Sequence, residues 1–261
     1  MSDIFSYYQN YDESTRLTRD RLHQTEYRIM MHLLNKYIGN TPLKILDCCA
    51  GCGAYSFPLA TIGHEVTAGD LIPEHVAYMR DHNNGLYEIY EGNVCDLSRF
   101  QNETFDVVLN FGAMYHLQDH SDRQKAISEC IRVLKPGGLF SYAYQTAFAM
   151  VMGQYCACLQ ASTAESRKDC FRALDITVQT NQRDIFYGMT SDEIANIAAR
   201  HNLRTLCNAC TYSVFYPFFR EIDSYSEQEL EQYVQMLLST CEDEYVAKYG
   251  MHGVYFGQKS V

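Results

Sequence analysis

The stretch that most constrains this chain is Leu43-Lys44-Ile45-Leu46-Asp47-Cys48-Cys49-Ala50-Gly51-Cys52-Gly53. Leu43 to Leu46 is an apolar run suited to a buried parallel strand. A loop of small residues follows, and Ala54 to Thr61 is compatible with a helix. Strand, small-residue loop and helix in that order expose unpaired backbone N–H groups at a helix start and let a ligand approach the main chain. Gly51 and Gly53 lack Cβ atoms, so the loop can bend tightly without a side chain filling the ligand's space. Asp47, at the strand's carboxyl end, can orient the loop or accept a hydrogen bond through a water. The order of parts is that of a nucleotide cradle, and the glycines alone do not say which nucleotide.

The next segments narrow the choice. Glu65 to Asp70 reads as a second strand ending in an acid, whose carboxylate can accept both hydroxyls of an adenosine ribose. Tyr87 to Glu91 is a third strand-like run, followed by Gly92-Asn93-Val94-Cys95-Asp96-Leu97. Phe105 to Asn110 is a fourth strand, leading into Phe111-Gly112. Arg132-Val133-Leu134-Lys135-Pro136-Gly137-Gly138 closes a helix before a fifth strand, Leu139 to Tyr144.

Taken together, these motifs resemble the class I S-adenosylmethionine-dependent methyltransferases, in particular the small-molecule branch related to ubiquinone and menaquinone biosynthesis. Asp47 to Gly53 is similar to that family's glycine-rich first motif, with Cys49 standing where a glycine is usual and narrowing the loop. Asp70, with Leu71 beside it, resembles the ribose-binding acid, and Asn93, Val94 and Asp96 resemble the adenine-contacting segment. Asn110 and Phe111 match the strand end that meets the methionine part of the cofactor. The resemblance covers about residues 40 to 145. It implies a doubly wound, mostly parallel seven-stranded α/β sheet, Rossmann-like, with helical lid insertions. It also implies S-adenosylmethionine as cofactor, a small-molecule acceptor and no metal.

The chain of 261 residues is long enough for one sizeable domain with insertions. A formal net charge of −11 and the absence of any basic run argue against nucleic acid as a partner. The start, Met1 to Ser6, has neither a cationic region nor an apolar core, so it does not read as a signal peptide. No apolar stretch is long enough to cross a bilayer, and no membrane partner is expected. Eleven cysteines without a secretory signal point to a reducing cytoplasmic setting. A homodimer is left open.

Strands are expected at 43–48, 65–70, 86–91, 105–110 and 138–144, with helices near 54–61, 73–82 and 120–134. Asp12-Glu13-Ser14-Thr15 opens a long helical pattern reaching Tyr37, which Gly39 to Pro42 stops. Residues 1–38 then form an amino-terminal lid, through which Tyr7, Tyr8, Tyr11 and Arg16 either face the ligands or merely pack. The insertions 146–188 and 212–250 would complete the substrate cover, the first containing at least one helix. Thr190 or Ser191 caps a helix running to His201, and Leu203 to Asn208 resembles strand six. Ser226 to Lys248 is a long acidic helical stretch, and His252 to Gly257 reads as a final antiparallel strand.

Methyl transfer is an in-line displacement at a carbon already activated by sulfonium charge, so the protein mainly aligns the reactants and excludes water. A general base is needed only where the acceptor must lose a proton. His116 and Tyr115, just past strand four, are candidates for proton removal and positioning, with Tyr11 reaching in from the lid. For His116 the structural role, capping a helix or touching the cofactor, is the preferred reading. The pairs Cys49/Cys52 and Cys207/Cys210 imitate zinc-ligand spacing, but metal in the first pair would block the cradle. Two rival functions remain. One is an NAD-linked oxidoreductase, which the missing G-x-G-x-x-G spacing disfavours, and the other is a non-enzymatic S-adenosylmethionine-binding protein.

Overall fold

The computed structural model describes residues 2–212 and 222–261, so the first part of the expected 212–250 cover lies outside the described residues. Nine strands appear among the described residues: β1 (Lys44–Asp47), β2 (Glu65–Asp70), β3 (Glu88–Glu91), β4 (Phe105–Asn110), β5 (Leu134–Thr146), β6 (Gln182–Arg183), β7 (Phe186–Met189), β8 (Leu203–Cys210) and β9 (His252–Lys259). Ten helices accompany them: α1 (Ser2–Gln9), α2 (Arg21–Ile38), α3 (Ser56–Thr61), α4 (Pro73–Asp81), α5 (His120–Val133), α6 (Ala147–Gln160), α7 (Ala164–Thr180), α8 (Ser191–Arg200), α9 (Glu227–Thr240) and α10 (Glu244–Tyr249).

The first five strands pair in parallel in the order β3-β2-β1-β4-β5, and β9 then lies antiparallel against β5 with β8 antiparallel outside it. Those seven are the strands expected from the sequence. The β6–β7 hairpin adds two more, joining the carboxyl end of β5 through Gln145↔Gly188 and Thr146↔Met189. No period-2 signal marks so short a hairpin, and it exists because β5 runs on past the last residue of β4.

Side chains alternate strictly across the sheet, which is why both faces can be covered. Ile45, Val107, Leu109, Val254 and Phe256 join a core with α2, α3, α4 and α9. Leu46, Val108, Phe140, Tyr142 and Tyr255 join a second core with α5 and α8. The result is a three-layer sandwich, doubly wound as expected.

Three boundaries differ from the sequence reading. The helix expected from Asp12 to Tyr37 breaks into a single 3-10 turn at Glu13–Thr15 and α2, and a separate helix, α1, precedes them. The cause is local. Asp12 accepts from the Ser14 N–H and starts only one turn, and Asp20 accepts from the His23 N–H to start a helix afresh. Likewise, Asp243 takes the N–H groups of Tyr245 and Val246 and divides the 226–248 stretch into α9 and α10. The 146–188 insertion holds two helices and the hairpin. No helix among the described residues is long and apolar enough to cross a membrane.

Candidate active site

The parallel strands end on one rim, and a cavity of about 530 Å³ opens there. Its first half is lined by the β1–α3 loop (Cys49, Gly51), the β2 end (Asp70, Leu71), Asn93 and Val94 after β3, and Phe111 after β4. The loop is stitched to its neighbours: Cys48 N–H donates to Leu109 O at 3.0 Å and Ala50 N–H to Gly69 O at 2.9 Å. Asp70 then accepts from Gly51 N–H at 2.8 Å, Ile72 N–H at 2.9 Å and His75 Nδ1 at 3.1 Å. The N–H groups of Ala50 and Gly51 are therefore already used within the protein. The loop contributes shape more than donors. Opposite Cys49, Gly112 (φ +154°) takes a backbone conformation that side chains disfavour, and a Cβ there would sit in ordinary contact with the Cys49 Cβ at 3.7 Å.

Four residues expected to touch a cofactor do not line the cavity. Asp47 alternates to the face of Ile45 and accepts from Ser56 Oγ at 2.6 Å, which ties the strand end to α3. Burial, outweighing Ser56, raises its carboxyl to about 7. Gly53 (φ +84°) serves the turn itself, since a Cβ there would come within 2.7 Å of the Phe57 ring. Asn110 alternates to the α5 face beside Cys130, with its Oδ1 buried and unpartnered. Asp96 is exposed and takes the Ser98 N–H in a local turn. In each case strand parity or loop chemistry, which family spacing does not report, aims the side chain away.

The second half of the cavity is aromatic. Tyr8, on α1, hydrogen-bonds His116 Nε2 at 3.1 Å and meets the His75 ring edge-on at 4.9 Å between centroids. His116 Nδ1 is buried without a partner, and burial holds this imidazole down to about 4, so it is neutral at pH 7. Tyr115 lies against His116 and Phe186 and lines the cavity, its phenol pushed up by burial. Tyr11 lines the outer part and is held by Arg19, whose Nη1 donates to its hydroxyl at 2.9 Å.

A buried ionic cluster forms the far wall. Arg16 Nη1 donates to both oxygens of Glu26 at 2.9 Å, and its Nε donates to Glu13 at 2.8 Å. The Tyr212 hydroxyl also donates to Glu26, and His252 Nδ1 lies 4.0 Å from it. Burial opposes the Glu26 charge, but Arg16, His252 and the Tyr212 hydroxyl overcome it and hold the carboxyl at about 2. Glu13, more burdened by burial than relieved by Arg16, is shifted up. Sequence reading missed Glu13, Glu26, Tyr212, His75 and His252. One signal was present: Glu26 sits on the apolar stripe of α2 with Ile29, Met30 and Leu33, where a carboxylate needs a partner. One C-x-x-C pair lies in the loop after β1 and the other on β8, four strands away in the sheet, with Cys207 donating to Glu242.

Residues 46–142 match the family model described as a methyltransferase domain. This segment is similar to methyltransferase domains. All four strand ends that line the first half of the cavity fall within it. The chain is 33% identical over 99 residues to a ubiquinone biosynthesis O-methyltransferase of Cereibacter sphaeroides, covering 37% of this chain and 39% of that protein. The chain thus spans about two fifths of the length of the curated relatives it first matches. A protein of the same description from Xanthomonas oryzae pv. oryzae is 29% identical over 184 residues, 66% of this chain and 75% of that one. Over nearly the whole chain there is also a likeness of fold. The crystal structure of magnesium protoporphyrin IX methyltransferase from Synechocystis PCC 6803 with bound SAH superposes with a TM-score of 0.61, covering 99% of each chain at 11% identity.

Proposed function

We propose that the chain is an S-adenosylmethionine-dependent methyltransferase acting on a small molecule. The observation that carries this reading is the coincidence of the methyltransferase domain, 46–142, with one connected cavity half built from four consecutive strand ends. The cavity of about 530 Å³ lies within the range of small-molecule sites, roughly 300–1,000 Å³. S-adenosylmethionine supplies a methyl group on a sulfonium sulfur.

The residues present suit such a ligand. Asp70 has about four acceptor positions, of which Gly51, Ile72 and His75 use three. A ribose hydroxyl takes the fourth, and a second hydroxyl displaces the longest of the three, from His75. Asn93 and Val94 flank the adenine, with Phe111 and the Gly112 hollow toward the methionine part. Six acidic side chains and two arginines line the cavity, a balance favourable to a cation. Tyr115 and Tyr11 position the acceptor and exclude water, and His116 fastens the lid through Tyr8. Residues 2–38, together with 146–188, form the cover, with Ile4, Tyr7 and Met150 on the cavity wall. The acidic charge of −11 supports a small molecule over nucleic acid, and the eleven cysteines support a cytoplasmic setting.

Titration calorimetry with S-adenosylhomocysteine and with NAD tests the reading. Binding of the first, with none of the second, is expected. NAD binding in its place would replace the proposal by the oxidoreductase. Release of S-adenosylhomocysteine in the presence of phenol and amine acceptors separates an enzyme from a non-catalytic binder.

A further inference from the structure

Because β9 runs antiparallel to the rest, its first residue rather than its last reaches the rim where the parallel strands end. That residue is His252, paired in register with Gln145 near the end of β5. Its ring is buried yet lines the cavity. Nδ1 is engaged by Thr211 Oγ1 at 2.9 Å, with the Glu26 carboxylate 4.0 Å away. The same Thr211 hydroxyl points toward the His252 carbonyl at 3.4 Å, so it donates there and accepts from Nδ1–H. Nε2 makes no hydrogen bond among the described residues. The proton is thereby assigned to Nδ1 and a lone pair to the nitrogen left open.

We propose that His252, positioned by Thr211 and Glu26, is the general base that takes the proton from an acceptor's O–H or N–H. The inference rests on the methyltransferase reading of the cavity. The acceptor's oxygen or nitrogen bonds to the methyl carbon as the carbon–sulfur bond breaks, its electron pair staying on sulfur. The acceptor's proton passes to Nε2, and the resulting imidazolium faces the Glu26 carboxylate. The other groups around the ring are Arg16, beyond Glu26, and the rings of Tyr212 and Tyr115, with centroids at 6.0 and 6.1 Å. Burial and Arg16 lower the imidazole's affinity for a proton more than Glu26 raises it, so the base is unprotonated at pH 7.

The contrast with His116 supports the assignment. There Nε2 is already bonded to Tyr8, which leaves that nitrogen closed to an acceptor. The walls beside His252 also suit a ring: Tyr212, Tyr115 and Phe186 present faces and edges along one side of the cavity. A flat acceptor bearing an ionisable hydroxyl or amine fits this wall.

Two-bond proton–nitrogen spectra of the uniformly ¹⁵N-labelled chain, with S-adenosylhomocysteine added, read the tautomer without any acceptor. The His252 signals are assigned by their loss in His252→Gln or, should that variant not fold, by their shift in Thr211→Val. A neutral ring protonated on Nδ1 at pH 7 is expected. An Nε2–H tautomer, or an imidazolium at pH 7, would overturn the proposal while leaving the methyltransferase reading intact. Calorimetry on the same sample separates the two, since failure to bind S-adenosylhomocysteine removes the enzyme reading whatever the tautomer. For any phenol or amine that is turned over, His252→Gln should lower kcat by about 100-fold or more. It should also abolish the acid limb of the kcat profile and leave KM within about threefold. An unchanged kcat and limb would overturn the assignment.

Discussion

The two halves of the cavity are built in opposite ways. The half assigned to the cofactor comes from four strand–loop units that follow one another between residues 44 and 112, each delivering its loop to the same rim. The half assigned to the acceptor draws on Tyr8, Arg16, Glu26, Tyr115, Phe186, Tyr212 and His252, from both ends of the chain and its middle. In the first, backbone shape dominates, with Asp70 fixing the loop. In the second, side chains dominate, and a buried ion pair fixes their positions. Local architecture can hold a shared cofactor across many acceptors, while the remote segments are free to change with the acceptor.

The sharpest way to break this contrast is Glu26→Ala. Arg16 would keep only Glu13, and an under-compensated buried cation should cost about 3–5 kcal/mol of unfolding free energy, read by urea denaturation. A loss below about 1 kcal/mol would mean that the acceptor half is not held by this pair.

Asp70→Ala probes the other half. It should weaken S-adenosylhomocysteine binding by about 1.5–3 kcal/mol, the value of charge-assisted hydrogen bonds, as read by calorimetry. An unchanged Kd would remove Asp70 from the site.

Acid should unfasten the acceptor half first. Glu26 is depressed to about 2, so its contribution is complete above its unfolded value of 4.5 and is lost as pH falls through about 2. His116 is depressed from 6.5 to about 4, so the chain binds a proton there less readily when folded, and stability falls as pH drops from 6.5 through 4. Melting temperature of Asp47→Asn should therefore decline below pH 6.5, with the first part of that decline missing once His116→Asn is added, because in the natural chain Asp47 offsets His116 over this range. Asp47 acts oppositely. Its carboxyl is raised from 3.8 to about 7, so its contribution is complete below 3.8 and is lost as pH rises through 7.

The smallest effect expected is that of Tyr8→Phe. It removes one hydrogen bond to His116 and keeps the ring contact with His75, which should cost about 0.5–1.5 kcal/mol of stability. Kd for S-adenosylhomocysteine should change less than threefold. A much larger loss of binding would show that α1 closes directly over the cofactor.

Legibility follows the same division. The seven main strands could be read because each carries apolar or β-branched residues within a short segment bounded by turns. Pro73 at the start of α4 and the Thr190 capping box of α8 are equally local signals. Asp47, Asn110 and Asp96 mark the limit: their positions in the motifs are right, but side-chain direction depends on strand parity and on Ser56, Cys130 and Ser98 as neighbours. The break at Asp20 was missed because one carboxylate capping one N–H outweighed a helical pattern that otherwise continued.

The amino-acid order alone determined the wound sheet, the loop after β1 and the acid after β2, since hydrophobic period and turn residues act over a few positions. Which side chains share the far wall was decided only when β9 turned antiparallel and brought His252 beside Glu26 and Thr211. Residues so far apart in the chain meet through packing, and packing leaves no short-range mark in the sequence.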